Sequence, residues 1–165
     1  MSKPMKEQSY RTLFIGLGGT GGRVLHSLNK LLSDREKEKA HMIYIDLDKG
    51  DAEDLEALGM NTVVISSSDT VRDVISRLGP NDGVQDWIPT AANDKEFLSS
   101  KTDDGASQYR MKSRLCLANF LQNRNNKLAK LLTKLCKVGA EVSDETLRVM
   151  IVSSVAGGTG AGTFI

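Results

Sequence analysis

Two short glycine-rich stretches are the residues best suited to chemistry in this sequence. The first, GLGGTGG, runs from Gly16 to Gly22 with the spacing Gly-x-Gly-x-x-Gly, and the second, AGGTGAG, runs from Ala156 to Gly162. Glycines let a backbone turn tightly and approach an anion closely, and the free N–H groups that begin a helix bind phosphate. Both stretches therefore predict phosphate binding, to which the hydroxyl of Thr159 can add a donor.

Two aspartates, Asp46 and Asp48, close an apolar run rich in β-branched residues, HMIYIDLD. At the end of a strand beside a phosphate site, such carboxylates accept from a ribose hydroxyl or help to hold a hydrated Mg²⁺ ion. The alternative is a solvated strand end without a ligand. Because side chains alternate along a strand, both carboxylates are expected to point toward a ligand or both away from it.

The composition excludes several classes of function. The net charge is only +1, with an acidic middle stretch between basic flanks, which disfavours a nucleic-acid partner. The cysteines, Cys116 and Cys136, and the histidines, His26 and His41, lack the spacing of a zinc site or a disulfide framework. No apolar run reaches the ~20 residues of a membrane span and the start lacks a signal segment, so we predict a cytoplasmic protein without a membrane partner.

The elements that must position these residues alternate between strands and helices. Apolar runs predict strands at 12–17, at 41–48, at 62–66 and from Arg148 onward. Helical spacing predicts helices after Gly22, over 50–59, from a cap at Ser68 or Asp69 to residue 78, and over 107–137 with a break at QNRNN. Residues 1–10 are expected to be disordered or extended. Residues 80–106 predict a long polar loop, ordered in part where Trp87 and Ile88 pack down.

This alternation is typical of an α/β fold with a doubly wound, Rossmann-like parallel sheet. The common strand order 3-2-1-4 sets strands one and four side by side. The two glycine-rich stretches would then face each other across one crevice, with the two aspartates at its rim.

Taken together, these motifs resemble the tubulin and FtsZ superfamily of GTP-binding proteins, and most closely its divergent bacterial members. GLGGTGG is similar to that family's first phosphate loop. AGGTGAG is similar to its signature GGGTG[ST]G, with Ala156 and Ala161 as departures. IDLD is similar to the loop after strand two, where Asp46 replaces the usual Asn. DDGASQYRMKSR, around Gly105, is similar to the loop that contacts the terminal phosphate.

The resemblance implies a site for GTP or GDP with Mg²⁺, which Asp48 would contact indirectly. The implied nucleotide-binding residues are Gly18, Gly19, Thr20, Gly21, Gly22, Arg23, Asp46, Asp48, Gly105, Ala106, Ser107, Gly157, Gly158, Thr159 and Gly160. No catalytic residue is assigned.

The resemblance also implies that 1–165 form the N-terminal portion of a tubulin-like GTP-binding domain, incomplete at the C-terminus. In the family, the base contacts and the acidic loop needed for hydrolysis come from later segments. We therefore expect no GTP hydrolysis by 1–165 alone and an exposed apolar edge on strand four. The full-length form is expected to be a self-assembling GTPase that forms homo-oligomers or filaments.

Other readings stay open. An NAD-binding Rossmann domain would place Gly16, Gly18 and Gly21 under the pyrophosphate and Asp46 on the ribose. A ThiF-like adenylating domain also opens with a glycine loop and has an acidic residue after strand two. Neither explains the second glycine-rich stretch. A catalytically inactive interaction module, which keeps the fold without turnover, is the third alternative.

Overall fold

The computed structural model of this chain describes residues 10–78, 88, 94–107, 109–140 and 146–164. Along the chain the elements are β1 (Tyr10–Leu17), α1 (Gly18–Leu31), α2 (Asp34–Lys37), β2 (Ala40–Asp46), α3 (Lys49–Ala57), β3 (Asn61–Val64), α4 (Val71–Arg77), α5 (Lys95–Ser99), α6 (Arg110–Gln122), α7 (Lys127–Ala140), β4 (Thr146–Ser153) and α8 (Gly158–Phe164). Most of the predicted elements are present with bounds shifted by a few residues.

The strands form one parallel sheet in the order β3-β2-β1-β4. In its register, Gly16 of β1 lies beside Tyr44 of β2 and Val152 of β4. The predicted α/β fold and the order 3-2-1-4 are therefore confirmed. Because β1 is central, the turns that follow β1 and β4 emerge side by side at the carboxyl edge of the sheet.

Apolar side chains cover both faces of the sheet, as a doubly wound fold requires. On one face, Ile43 and Ile45 belong to a core that packs against residues of α6 and α7, including Phe120 and Leu131. On the other face, alternate residues of β2 pack against α1 and α3 in a core of Leu25, Met42, Tyr44, Ala52 and Met60. The period of two along β2 thus divides its side chains between two cores.

The start of α4 differs from the prediction. Neither Ser68 nor Asp69 caps this helix; Thr70 does, with its hydroxyl accepting from the amide of Asp73 at 3.3 Å. The Asp73 carboxylate in return accepts from the amide of Thr70 at 3.0 Å. This reciprocal capping box makes Thr70 the better cap, while the carboxylate of Asp69 is held by Arg77 and by the hydroxyl of Ser67.

Part of the predicted loop 80–106 is ordered structure. Asp94 caps α5 by accepting from the amides of Glu96 and Phe97. Phe97 is buried in a third core that α4, α5 and α6 share, and Ile88 packs into the same core as predicted. Trp87 and residues 1–9 lie outside the described residues, and Tyr10 already belongs to β1.

Strand β4 carries apolar side chains that are about half exposed, at Val149 (52%), Met150 (47%) and Ile151 (48%). The sequence predicted such an exposed apolar edge on this strand. Among the described residues, none of the helices has both the length and the apolar character needed to cross a membrane.

Candidate functional site

A cavity of about 290 Å³ opens at the carboxyl edge of the sheet. Four segments line it, three at the junction of a strand and the following helix and one in the loop before α6. They contribute Leu17, Gly18, Gly19 and Thr20; Asp46, Asp48 and Asp51; Asp104, Gly105, Ala106 and Ser107; and Ser154, Gly157, Gly158, Thr159 and Gly160. The fold therefore brings both glycine-rich stretches and both predicted aspartates to one crevice.

The first glycine-rich stretch turns the chain from β1 straight into α1. Gly18 has a φ of +71°, a backbone conformation that L side chains rarely adopt. A Cβ on Gly18 would lie 3.2 Å from both the amide nitrogen of Gly160 and the Cβ of Thr159. No side chain caps α1 at Leu17, and the first turn of α1 holds no acidic residue. The first amides of this 14-residue helix are therefore available to an anion.

The second glycine-rich stretch is tied to strand β2 through a buried hydrogen bond. The hydroxyl of Thr159 donates to Oδ1 of Asp46 at 2.7 Å, and the same oxygen accepts from the amide of Leu47 at 2.7 Å. The other oxygen of Asp46 accepts from the hydroxyl of Tyr44. Burial, together with this carboxylate, raises the pKa of Tyr44 above its usual range, so the phenol is a neutral donor.

Asp46 and Asp48 line the same cavity but have different surroundings. Asp46 is 3% exposed, whereas Asp48 is exposed and caps α3. Its Oδ1 accepts from the amides of Gly50 at 2.8 Å and Asp51 at 3.2 Å. Both carboxylates therefore line one cavity, and they differ in burial because β2 ends at Asp46 while Asp48 lies beyond the strand.

The segment Asp104–Ser107 forms a third wall of the cavity. Gly105 and Ser107 have φ values of +73° and +45°, and the carbonyl of Ala106 accepts from the amide of Tyr109 at 2.7 Å. Upstream, the amide of Thr102 donates to the carbonyl of Asp69 at 3.0 Å. This segment is therefore anchored at both ends by backbone hydrogen bonds.

The cavity wall is acidic. Four carboxylates line it, those of Asp46, Asp48, Asp51 and Asp104, and no lysine or arginine among the described residues does so. Burial and the neighbouring Asp48 and Asp46 raise the pKa of Asp51. A ligand with several negative charges would meet repulsion here unless a cation accompanied it.

Twelve of the fifteen predicted site residues line this cavity. Gly22 and Arg23 instead line a neighbouring cavity of about 180 Å³, which shares Gly19 and Asp51 with the first. Gly21 of α1 packs against β1 and β4, and an added Cβ would be 2.7 Å from both the carbonyl carbon of Gly16 and the carbonyl oxygen of Val152. It therefore serves the packing of α1 on the sheet.

The prediction did not include four residues that line the cavity, namely Leu17, Asp51, Asp104 and Ser154. Asp104 and Ser154 had a signal in the sequence, since Asp104 lies within DDGASQYRMKSR and Ser154 lies two residues before AGGTGAG. Asp51 had only a weak signal, because it lies in the first turn of a helix whose direction depends on the fold.

Comparison with known proteins identifies a family for this chain. A family model with the description "Tubulin like" matches residues 13–165, a range that begins within β1 and includes both glycine-rich stretches. No curated protein and no solved structure matched the chain.

Proposed function

The chain belongs to the tubulin-like family, and on this premise we propose that its crevice binds GTP or GDP. The observation that carries the proposal is the meeting of two glycine-rich stretches, from neighbouring parallel strands, in one cavity. Ligands of open parallel sheets bind at this edge. The start of α1, with no capping side chain at Leu17 and no acidic residue in its own first turn, supplies the amides that an anion needs.

Within the proposed site, the phosphates lie among the backbone groups of Gly18–Thr20, Gly157–Gly160 and Gly105–Ser107. The open space above Gly157 fits this role, since the nearest heavy atom to an added Cβ is 3.7 Å away. We keep Gly22 and Arg23 among the proposed nucleotide contacts because they line the neighbouring cavity. Gly19 lines both cavities, so a nucleotide bound there would reach from one cavity into the other.

Mg²⁺ is part of the proposal because the wall of the cavity is acidic. Among the described residues, no group of three or more His, Cys, Asp or Glu side chains forms a metal site made by protein alone. Mg²⁺ is commonly held by nucleotide phosphates and water, with one or two carboxylates nearby. Asp48 fits the indirect role, because it is exposed at the cavity and only one of its oxygens is used by the helix cap.

Isothermal titration calorimetry of the purified protein with Mg·GTP, Mg·GDP, Mg·ATP and NAD tests the proposal. We expect binding of the guanine nucleotides, with NAD and ATP weaker or silent. Preference for NAD or ATP over GTP would overturn it in favour of an NAD-binding Rossmann or a ThiF-like adenylating domain. Absence of binding to all four ligands would favour an inactive interaction module.

A matched pair of variants at Gly157 locates the binding. Gly157→Asp adds a negative charge to the cavity wall, and Gly157→Asn adds a side chain of nearly the same size without the charge. We expect the Asp variant to bind Mg·GDP about tenfold or more weakly than the Asn variant, because the added charge repels the phosphates. Equal affinities of the two variants would contradict a phosphate site at Gly157.

The surroundings of Asp46 do not support the ribose contact that an NAD-binding Rossmann domain would require of it. Asp46 is 3% exposed, and Tyr44, Leu47 and Thr159 already donate to its carboxylate. A ribose hydroxyl would have to compete with three buried donors. This observation weakens the NAD-binding alternative, which depends on that contact.

We extend the proposal from the family to assembly: the whole protein self-associates head to tail in the presence of GTP as a cytoplasmic, cytoskeletal GTPase. Sedimentation of the full-length protein with Mg·GTP and with Mg·GDP tests this. A larger pelleted fraction with GTP is expected, and equal pelleting with both nucleotides would contradict nucleotide-driven assembly.

A further inference from the structure

Three polar side chains meet beneath the cavity floor. Tyr44, Asp46 and Thr159 are all buried, at 0%, 3% and 8% exposure, and both hydroxyls donate to the carboxylate between them. Asp46 and Thr159 are 113 positions apart in the chain. The hydrogen bond between them therefore joins the end of β2 to the start of α8.

Thr159 also lies next to the first glycine-rich stretch. A Cβ added to Gly18 would lie 3.2 Å from the Cβ of Thr159, so there is no space for a side chain at Gly18. One threonine thus lies against two of the other segments that line the cavity. Its side-chain proton is directed at Asp46, and so it is not available to a ligand.

We infer that Thr159 is a positioning residue, which holds the second glycine-rich stretch in register with the first by its hydrogen bond to Asp46, and that it does not donate to phosphate. Phosphate contacts from this stretch then come from backbone amides. The expected effect of Thr159 on nucleotide affinity rests on the proposed nucleotide site. The hydrogen bond to Asp46 can be tested on the protein without nucleotide.

The chemistry of the acceptor explains why the bond matters. A buried carboxylate is costly unless donors surround it. Without the Thr159 hydroxyl, Oδ1 of Asp46 keeps only the amide of Leu47. Hydrogen bonds to charged groups are among the strong ones in proteins, so removing this hydroxyl should release the start of α8 from β2.

Hydrogen exchange on the nucleotide-free protein tests the bond with three variants. Thr159→Val removes the hydroxyl at nearly constant shape, and Thr159→Ser keeps the hydroxyl. Thr163→Val is the control, because the Thr163 hydroxyl donates to the carbonyl of Thr159 at 2.8 Å within the same helix and does not reach Asp46.

In Thr159→Val, we expect amides of 157–162 to exchange about 10- to 100-fold faster, as the loss of a hydrogen bond to a charged group implies. Thr159→Ser and Thr163→Val should stay close to the wild type. Unchanged exchange in Thr159→Val, or equally fast exchange in Thr159→Ser, would overturn the inference. Thermal melts identify any variant that fails to fold. If Thr159→Val fails to fold, the exchange rates of Thr159→Ser still show whether the hydroxyl or the methyl group of Thr159 matters.

Calorimetry with Mg·GDP supplies the functional readout. If the wild type binds, Thr159→Val should bind about tenfold or more weakly, because only a fraction of molecules keeps the loops in register. Thr159→Ser should restore the affinity. Wild-type affinity in Thr159→Val would refute the positioning role. If the wild type binds no nucleotide, the proposed function fails, and the exchange data alone decide the inference.

Discussion

Replacing Gly162 with alanine should force α8 away from α6. A Cβ at Gly162 would lie 1.9 Å from Oγ of Ser113 and 2.2 Å from the carbonyl oxygen of Arg110. Ser113 is held in place, because its hydroxyl lies within hydrogen-bond distance of two carbonyl oxygens, that of Arg110 at 2.9 Å and that of Gly158 at 2.8 Å. The carbonyl of Arg110 belongs to the backbone of α6, so the two helices must separate by roughly 1 Å to restore ordinary contact.

Three terms set the size of the effect. Overpacking costs about 1 to 3 kcal/mol, and loss of the hydrogen bond from Ser113 to the carbonyl of Gly158 costs about 1 to 3 kcal/mol when that carbonyl stays buried. Alanine recovers about 1 kcal/mol through its better helix propensity. We therefore expect Gly162→Ala to lower the free energy of unfolding by about 1 to 5 kcal/mol, a large share of the ~5 to 15 kcal/mol typical of a domain.

Urea denaturation followed by circular dichroism measures this change. Gly157→Ala is the matched control, since an added Cβ there has no heavy atom nearer than 3.7 Å, and it should change the free energy of unfolding by less than about 1 kcal/mol. Adding Ser113→Ala to Gly162→Ala should recover only part of the loss, because the Arg110 carbonyl remains in the way. A loss below about 1 kcal/mol in Gly162→Ala, or full recovery in the double variant, would refute the reasoning.

The site and the core lead to three more tests. Gly18→Ala should lower the free energy of unfolding, measured in urea, by about 1 to 2 kcal/mol, because φ at this position is +71°. The added Cβ should also press on Gly160 and abolish nucleotide binding, and unchanged nucleotide affinity in calorimetry would contradict this prediction. Asp51→Asn should strengthen binding of GDP in EDTA about two- to tenfold by removing repulsion, and the gain should shrink with salt. Burial raises the pKa of Cys116 to about 12, so iodoacetamide at pH 8 should leave this thiol unmodified in the folded protein and alkylate it in urea, as mass spectrometry would show. Because the folded pKa exceeds the unfolded one, stability due to this thiol is complete below about pH 8.5 and declines as the pH rises toward 12.

Sequence patterns predicted much of the fold because they report local physics. The apolar run of β2 and the glycine at the end of β1 depend on residues close in the chain, and the strand order follows a common topology. The cap of α4 was misplaced because Ser68, Asp69 and Thr70 are all good caps by type. Thr70 prevails because Asp73 lies three residues later, while Asp69 is held by Arg77.

The candidate site divides in the same way. Twelve of its lining residues were predicted, because the spacing of glycines at the end of a strand can be recognised from the sequence alone. Asp51 was missed because it reaches the cavity only once α3 packs beside α1. α5 was missed because a helix of five residues has too few turns to show a period.

Short-range order along the chain was thus enough to establish the parallel α/β fold, its strand order and the two stretches that meet in the crevice. Tertiary packing alone decided which partners each group in the crevice has and how deeply it is buried. Thr159 was predicted as a phosphate donor, yet its hydroxyl donates to Asp46, 113 residues away, and the two predicted carboxylates differ in burial. The reason is physical: hydrogen-bond partners and desolvation depend on distances in space, which residue type and spacing do not specify.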